Sequence, residues 1–258
     1  MIQNHCVSIK QATVLFFSSF LLAACGEPQP RTSVREKGRL TVVMDEPLPG
    51  YFVFGGESYG YQYDLFKAFA DHLGVELQVV RSERPSEYDA MLADGRADIV
   101  TALSDHAAEI ASASAIPIYH TSYVLLAGKR KADEIRKKKR FELIPCIREG
   151  KVLISSGFKS TRAYSMLLDS LSRTAEVYVS SRNSFELIGA LGDGRYDYLI
   201  CEMSEAQLGC AFQKNVAQIY RFAEPVALSA VVSPQDTSLR SDFEAWLSHF
   251  RNSGEYAM

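Results

Sequence analysis

The sequence predicts an α/β protein of two lobes, each a mixed, parallel-rich sheet flanked by helices. Three observations carry this. Short apolar runs of strand type alternate with segments of helical apolar spacing, the pattern of parallel sheets covered by helices. A local motif occurs twice, as Asp94-Gly95-Arg96-Ala97-Asp98 and Asp193-Gly194-Arg195-Tyr196-Asp197, each between a helical pattern and an apolar run. The composition, 47% apolar and 23% charged over 258 residues, is that of a folded globular chain with room for one large domain or two small ones.

The elements follow in order. Leu40–Met44 is a continuous apolar run, the signature of a strand buried on both faces. Leu65, Phe66, Phe69 and Leu73 place a helix over Asp64–Leu73, which Gly74 terminates. Val75–Val80 alternates as a strand, Ser86–Ala93 reads as a helix, and the first motif feeds a strand at Ile99–Ala102. Tyr123–Ala127 is another strand. Lys151–Ser155 opens a second series: a helix from Ser160 to about Leu171, a strand at Glu176–Val179, and a helix at Ser184–Leu191. The second motif then leads into a strand at Tyr198–Cys201 and a helix starting at Glu202–Leu208. Ala227–Val232 is a strand and Ser238–Asn252 an amphipathic closing helix. Each motif supplies a Gly able to take the left-handed conformation that ends a helix. In such folds ligands sit beyond the carboxyl ends of the strands.

The N-terminus reads as an address. A polar start with one Lys, Lys10, precedes the apolar run ATVLFFSSFLLAA at Ala12–Ala24, as in secretory signals. Leu22-Ala23-Ala24-Cys25 matches the bacterial lipobox, so residues 1–24 are expected to be a lipoprotein signal peptide and Cys25 the lipidated residue, anchoring the protein to a membrane at the periplasmic or extracellular face. Residues 25–39, polar and Pro-containing, read as a tether. Cys146, Cys201 and Cys210 remain. Free buried thiols are the favoured reading, with a Cys201–Cys210 bridge as the alternative. No cofactor or metal is expected, since no CxxC or His-rich spacing occurs. A net charge of −3 lacks the positive field of a nucleic-acid binder. The sequence has no apolar run long enough for a membrane-spanning helix.

Gly60-Tyr61-Gln62-Tyr63-Asp64-Leu65, continuing as FKAFADHLGVELQVV, resembles the Gly-Phe-x-x-Asp-Leu signature of extracellular solute-binding proteins of the amino-acid-binding type (family 3, type 2 periplasmic binding fold). Within that group it is most similar to the solute-binding module of the F-type membrane-bound lytic transglycosylases. The two Asp-Gly-Arg-x-Asp segments, Pro117-Ile118-Tyr119 and Glu46-Pro47-Leu48 resemble that module too. The resemblance implies a clamp: lobe 1 from residues 40–125 plus 226–258, lobe 2 from 126–225, and two crossing segments as a hinge that closes on a small ligand. With the chain ending at Met258, the transglycosylase domain is not expected and neither is catalysis by that route.

The resemblance also implies site residues. Tyr51 is placed in the cleft, with Phe54 either lining it or packing the lobe. Ser104 follows a strand end and offers a polar contact, while Asp105 reads first as a helix cap. At Lys159-Ser160-Thr161-Arg162 a loop becomes a helix, where amides and hydroxyls form an anion seat or Ser160 simply caps. Glu202 holds a ligand ammonium or is a surface acid at a helix start. The Arg that amino-acid binders place after the Ser104 loop has no counterpart: Glu109 stands near its place, and no Arg lies between Arg96 and Arg130. A standard free α-amino acid is therefore a doubtful ligand, and a peptide, an amine or a cell-wall fragment is the alternative. Eight of the twelve residues 129–140 are Lys or Arg, either a solvated entry to lobe 2 or a seat for an anionic surface partner.

The functional expectation is a ligand-binding lipoprotein without catalysis, serving an ABC-type permease or a cell-wall enzyme. The alternatives are a scaffold or regulator at the cell wall that has lost ligand binding, and a dehydratase-type enzyme on the same fold. The five His residues form no constellation with Ser, Cys or Asp that marks a nucleophile.

Overall fold

The chain begins its fold earlier than the apolar pattern indicates. A computed structural model describes residues 32–44, 49–82, 84–103, 110, 115–138, 142–148, 150–180, 182, 184–234 and 236–254. Helix α1 (Val34–Lys37) opens on a capping box: the Ser33 hydroxyl accepts from the Glu36 amide, and the Glu36 carboxylate accepts from the Ser33 amide at 2.9 Å. Val34 is buried in the first core. Residues 33–39 are thus folded rather than tether, and a helix that buries one side chain leaves no periodic signal.

Strands β1 (Arg39–Met44), β4 (Glu76–Arg81) and β5 (Ile99–Leu103) are parallel, linked by α2 (Tyr61–Leu73) and α3 (Tyr88–Ala93). Between β1 and α2 lies a hairpin, β2 (Phe52–Phe54) and β3 (Glu57–Tyr59), turned at Gly55-Gly56. After β5 come the long strand β6 (Ala115–Gly128), α4 (Lys129–Arg136) and α5 (Leu143–Ile147). A second parallel trio follows: β7 (Lys151–Ser155), β8 (Glu176–Ser180) and β9 (Tyr198–Glu202), linked by α6 (Arg162–Thr174) and α7 (Ser184–Gly192). Helix α8 (Met203–Phe212), strand β10 (Val216–Val232) and helix α9 (Thr237–Asn252) complete the chain.

The eight main strands form one sheet in the order β4-β1-β5-β10-β6-β9-β7-β8. Its two halves are joined by β6 and β10, which pair antiparallel from Val216↔Gly128 at one end to Val231↔Ala115 at the other. Sequence reading assigned Tyr123–Ala127 and Ala227–Val232 alone, which are single stretches of strands 14 and 17 residues long. The missed residues include His120 in one strand and Gln218, Arg221 and Glu224 in the other, so backbone pairing rather than an apolar run keeps them extended. Residues 125/126 and 225/226, the lobe boundaries drawn from sequence, fall inside these two strands. At the crossing the register slips: Arg221 pairs with Val124 and Pro225 with Ser122, so three β10 residues face one on β6. Such bulges bend a strand and redirect its side chains.

Each half carries its own core. In lobe 1, α2 and α9 bring Phe66 and Phe69 against Phe243, with centroids 5.7 and 4.9 Å apart, and Trp246 closes the group. The three Phe side chains are fully buried, worth about 1.5–3 kcal/mol each. In lobe 2, Phe158 packs on Tyr123 and Phe222 at 5.1 and 4.9 Å. Leu103, at the end of β5, packs against both cores. Cys146, Cys201 and Cys210 are free thiols.

The repeated motif does the same work in both lobes. Gly95 and Gly194 adopt φ of 79° and 76°, where a Cβ is strained. The Asp98 amide donates to the Thr41 carbonyl at 2.9 Å and its carboxylate accepts from the Thr41 amide at 2.8 Å, fixing the motif to β1. The Asp197 amide donates to the Lys151 carbonyl at 2.9 Å and its carboxylate accepts from the Lys151 amide at 2.8 Å, fixing it to β7. Each carboxylate also meets a Lys, Lys37 at 2.6 Å and Lys131 at 2.5 Å. The environments differ, because the Asp98 side chain is 2% exposed and that of Asp197 39%. Burial works against the Asp197 charge, yet the bonds from Lys131 and the Lys151 amide outweigh it and hold the carboxyl below its usual range.

Asp98→Ala is expected to cost about 3 kcal/mol, because it strands a largely buried Lys37. Asp197→Ala should cost about 1 kcal/mol, its half-exposed pair being screened. Because the Asp197 pKa is lower folded than unfolded, its contribution is present above about pH 4 and fades as pH falls through the folded value. Urea unfolding of each variant across pH measures both effects.

Candidate functional site

Strands β1, β5, β7 and β9 all run with their carboxyl ends toward the crossing of β6 and β10, and the polar groups of the molecule's middle collect there. The center is Glu202, the last residue of β9 and the N-cap of α8. One carboxylate oxygen accepts from the Ser204 and Glu205 amides at 2.8 and 3.1 Å and from the Ser204 hydroxyl. The other accepts from the Thr121 hydroxyl on β6. Glu202 is 6% exposed, so the surface-acid reading of this residue is replaced by a buried one. A charge buried this far is tolerable because amides and hydroxyls surround it.

Two tyrosines from lobe 1 lie within electrostatic reach of this carboxylate. Tyr61, the first residue of α2, and Tyr119 of β6 share a 2.5 Å hydroxyl contact, their rings edge to face at 4.9 Å. Burial pushes both phenols well above the ordinary tyrosine range; the Glu202 charge adds to the push, and Tyr119 is further raised by Tyr61 itself. Both hydroxyls therefore keep their protons at neutral pH. Behind Tyr61, the Thr101 hydroxyl donates to the Gln62 side-chain Oε1 at 2.8 Å.

Lobe 2 adds the start of α6. The turn Ser156–Ser160 winds as a 3-10 helix, so α6 starts at Arg162 and its cap is Thr161, one residue after the expected Ser160; the Thr161 hydroxyl accepts from the Tyr164 amide at 3.1 Å and donates to the Phe158 carbonyl at 2.8 Å. The next exposed amide, that of Ala163, donates to the Glu224 carboxylate at 3.0 Å. Glu224 lies in the β10 bulge, which directs it at α6. The anion seat read from Lys159-Ser160-Thr161-Arg162 thus holds a carboxylate from the chain itself, while Lys159 and Arg162 are exposed.

The remaining sequence-predicted residues are dispersed. Tyr51 is 6% exposed inside the lobe 1 core, its hydroxyl 3.3 Å from that of Ser58. Phe54 stands 76% exposed on the β2–β3 hairpin, so it does not pack the lobe. Ser104, Asp105, Glu109 and Cys25 lie outside the described residues. Thr121 and Ser204 hydrogen-bond Glu202, while Tyr61 and Tyr119 feel its charge, and none of the four is a site residue expected from the sequence. Tyr61 and Tyr119 stood inside motifs already quoted, but Thr121 and Ser204 carry no local signal. Among the described residues no group of three or more His, Cys, Asp or Glu could hold a metal.

Residues 40–258 match the bacterial extracellular solute-binding proteins, family 3. The chain belongs to this family. The family 3 protein is 24% identical over 249 residues to the membrane-bound lytic murein transglycosylase F of Idiomarina loihiensis, covering 95% of this chain and 54% of that one. It thus spans about half the length of that relative. Its fold matches an amino acid ABC transporter substrate-binding protein, AbpA, from Streptococcus pneumoniae bound to L-arginine, with a TM-score of 0.68, 20% identity, and 86% and 92% of the two chains covered. It also matches an ancestral amino acid-binding protein, a precursor of cyclohexadienyl dehydratase, with a TM-score of 0.66, 21% identity, and 86% and 93% covered. The fold is the α/β periplasmic-binding-protein type, a mixed sheet flanked by helices.

Replacing Glu202 with Ala leaves the Thr121 hydroxyl and two amides without their acceptor and should cost about 3 kcal/mol, with Gln recovering part of it. Thr161→Val should cost about 1 kcal/mol through the lost cap. Urea unfolding midpoints at constant slope check both.

Proposed function

We propose that this family 3 protein is a non-catalytic, lipid-anchored receptor of the cell envelope that closes two lobes on a small polar ligand. Cys25 carries the anchor, and an ABC-type permease or a cell-wall enzyme receives the ligand or the signal. The observation that carries the reading is the convergence at the strand crossing. Glu202 and Ser204 from one lobe are linked through Tyr119, on the strand that joins the lobes, to Tyr61 of the other, and Thr121 on that strand holds Glu202. A ligand entering there would meet a carboxylate with phenol and hydroxyl donors, a set suited to a polar guest with an ammonium or amide group. Residues proposed to line the cleft are Phe54, Ser104, Ser160, Thr161, Arg162 and Glu202, with Tyr51 supporting the wall from within lobe 1. A change of angle between the lobes falls on β6 and β10, where the bulge at residues 222–224 already interrupts the pairing.

One observation favors a second reading. Glu202 is bonded to its own helix and to Thr121, and the α6 amide is held by Glu224, so the cleft's polar groups are already partnered. A scaffold or regulator at the cell wall that no longer takes a ligand would have such a cleft. Neither reading asks for a proton transfer, since both phenols hold their protons far above neutral pH.

A thermal-shift screen of the protein against amino acids, short peptides, polyamines and muropeptides separates the two. A true ligand at about 100 times its Kd should stabilize the fold by about 2.7 kcal/mol. That gain should drop at least tenfold in ligand concentration when Glu202 becomes Gln. Flat curves across the screen would favor the scaffold, and turnover of any ligand would defeat both.

A further inference from the structure

Helix α4 has an arrangement that works against its own stability. Lys129 and Arg130 occupy its first turn, where no acid is present, so two cations sit at the positive end of the helix dipole. Lys137 and Lys138 follow its last turn. All four are exposed, and the described residues give none of them an ion pair. The other cations here are spent: Lys131 binds Asp197 and lies 4.7 Å above the Tyr198 ring, and Arg136 binds Asp133 at 3.4 Å and the Gln218 carbonyl at 3.1 Å. Lys214, exposed, extends the patch beside Asn215, whose carbonyl accepts from the Lys129 amide at 2.7 Å. This concentration stands against a chain with a net charge of −3. Asp133 and Glu134 in the same helix offset only part of this charge, and four exposed cations without an ion pair among the described residues point to an external partner.

We propose that the outer end of lobe 2 binds a linear polyanion of the cell envelope through Lys129, Arg130, Lys137 and Lys138. Arg130 and Lys137 are seven residues apart, close to two helical turns, so they share a face about 10 Å apart, with Glu134 between them, and a polyanion would bridge the two cations across it. A bilayer fits less well. The apolar side chains of α4, Ala132 and Ile135, are buried in the lobe 2 core, leaving no apolar face to enter a membrane. The patch also lies at the opposite end of the sheet from Ser33. Strand β6 reaches α4 at Gly128, whereas β1 starts at Arg39 beside the outer end of lobe 1. The surface is remote from the strand crossing, so this proposal stands apart from the ligand reading.

The test uses the whole protein with two soluble probes, long-chain polyphosphate and polyglutamate, and vesicles containing phosphatidylglycerol. The expected result is binding to at least one polymer that weakens by about 50-fold when salt rises fourfold, as four released counterions require. K129E/R130E/K137E/K138E should abolish it with an unchanged urea midpoint, and the milder K129Q/R130Q/K137Q/K138Q should weaken it if the reversal unfolds. No binding to either polymer, equal binding by the Gln variant, or binding to vesicles alone would overturn the proposal.

Discussion

The structure depends on two strands that cross from one lobe to the other and are paired with each other on both sides of the crossing. Because β6 and β10 pair along both halves, neither lobe can complete its sheet without residues of the other's chain segment. Lobe 1 takes the last part of β10 next to β5, and lobe 2 takes the last part of β6 next to β9. The pairing breaks where Pro225, which has no amide to donate, follows the bulge. That break puts an interruption of the ladder at the crossing, and it also aims Glu224 at α6. One irregularity therefore serves both the geometry of the joint and the electrostatics of the cleft.

The repeat explains why the two lobes resemble each other and where they part. The same Asp closes the same pair of backbone bonds to the first strand of each lobe. Further echoes surround it: Glu76 donates its amide to Gly38 as Glu176 does to Gly150, at 3.0 Å in both. In lobe 1 the returning helix α9 covers the core with Phe243 and Trp246. Lobe 2 has no counterpart to that contribution in the chain after β10, and its Asp197–Lys131 pair stays half open to water. The stronger burial lies in the lobe that receives both ends of the described fold.

At the crossing, the carboxylates decide what the cleft can offer. Helices α6 and α8 both present amides that attract anions, and in both the chain fills the place with a Glu of its own. Around these carboxylates stand the Thr121 and Ser204 hydroxyls and the Tyr61 and Tyr119 phenols, which burial keeps protonated. A guest with a free carboxylate would have to displace Glu224, whereas a cationic or amide group could add to the present bonds. The absence of Arg from residues 97–129 acts in the same direction.

Much of the architecture was determined by the sequence itself. Short apolar runs such as Leu40–Met44 and Val152–Ile154, rich in β-branched residues, read as strands covered on both faces, and the spacing of Phe66, Phe69 and Leu73 makes one face of a helix. The Asp-Gly-Arg-x-Asp pair revealed the internal symmetry because both copies need the same Gly turn and the same Asp bonded to the first strand of its lobe. Tertiary structure decided the rest. The length of β6 and β10 rests on pairing between residues about a hundred positions apart, which no run of apolar residues records. The cap at Thr161 was set by a 3-10 turn that shifts the helix by one residue. Glu202 was visible, but Thr121 came to it across neighboring strands and Glu224 to α6 through a bulge. Such contacts are fixed by where the backbone goes, and hydroxyl or carboxylate side chains look alike in sequence whether or not a partner awaits them.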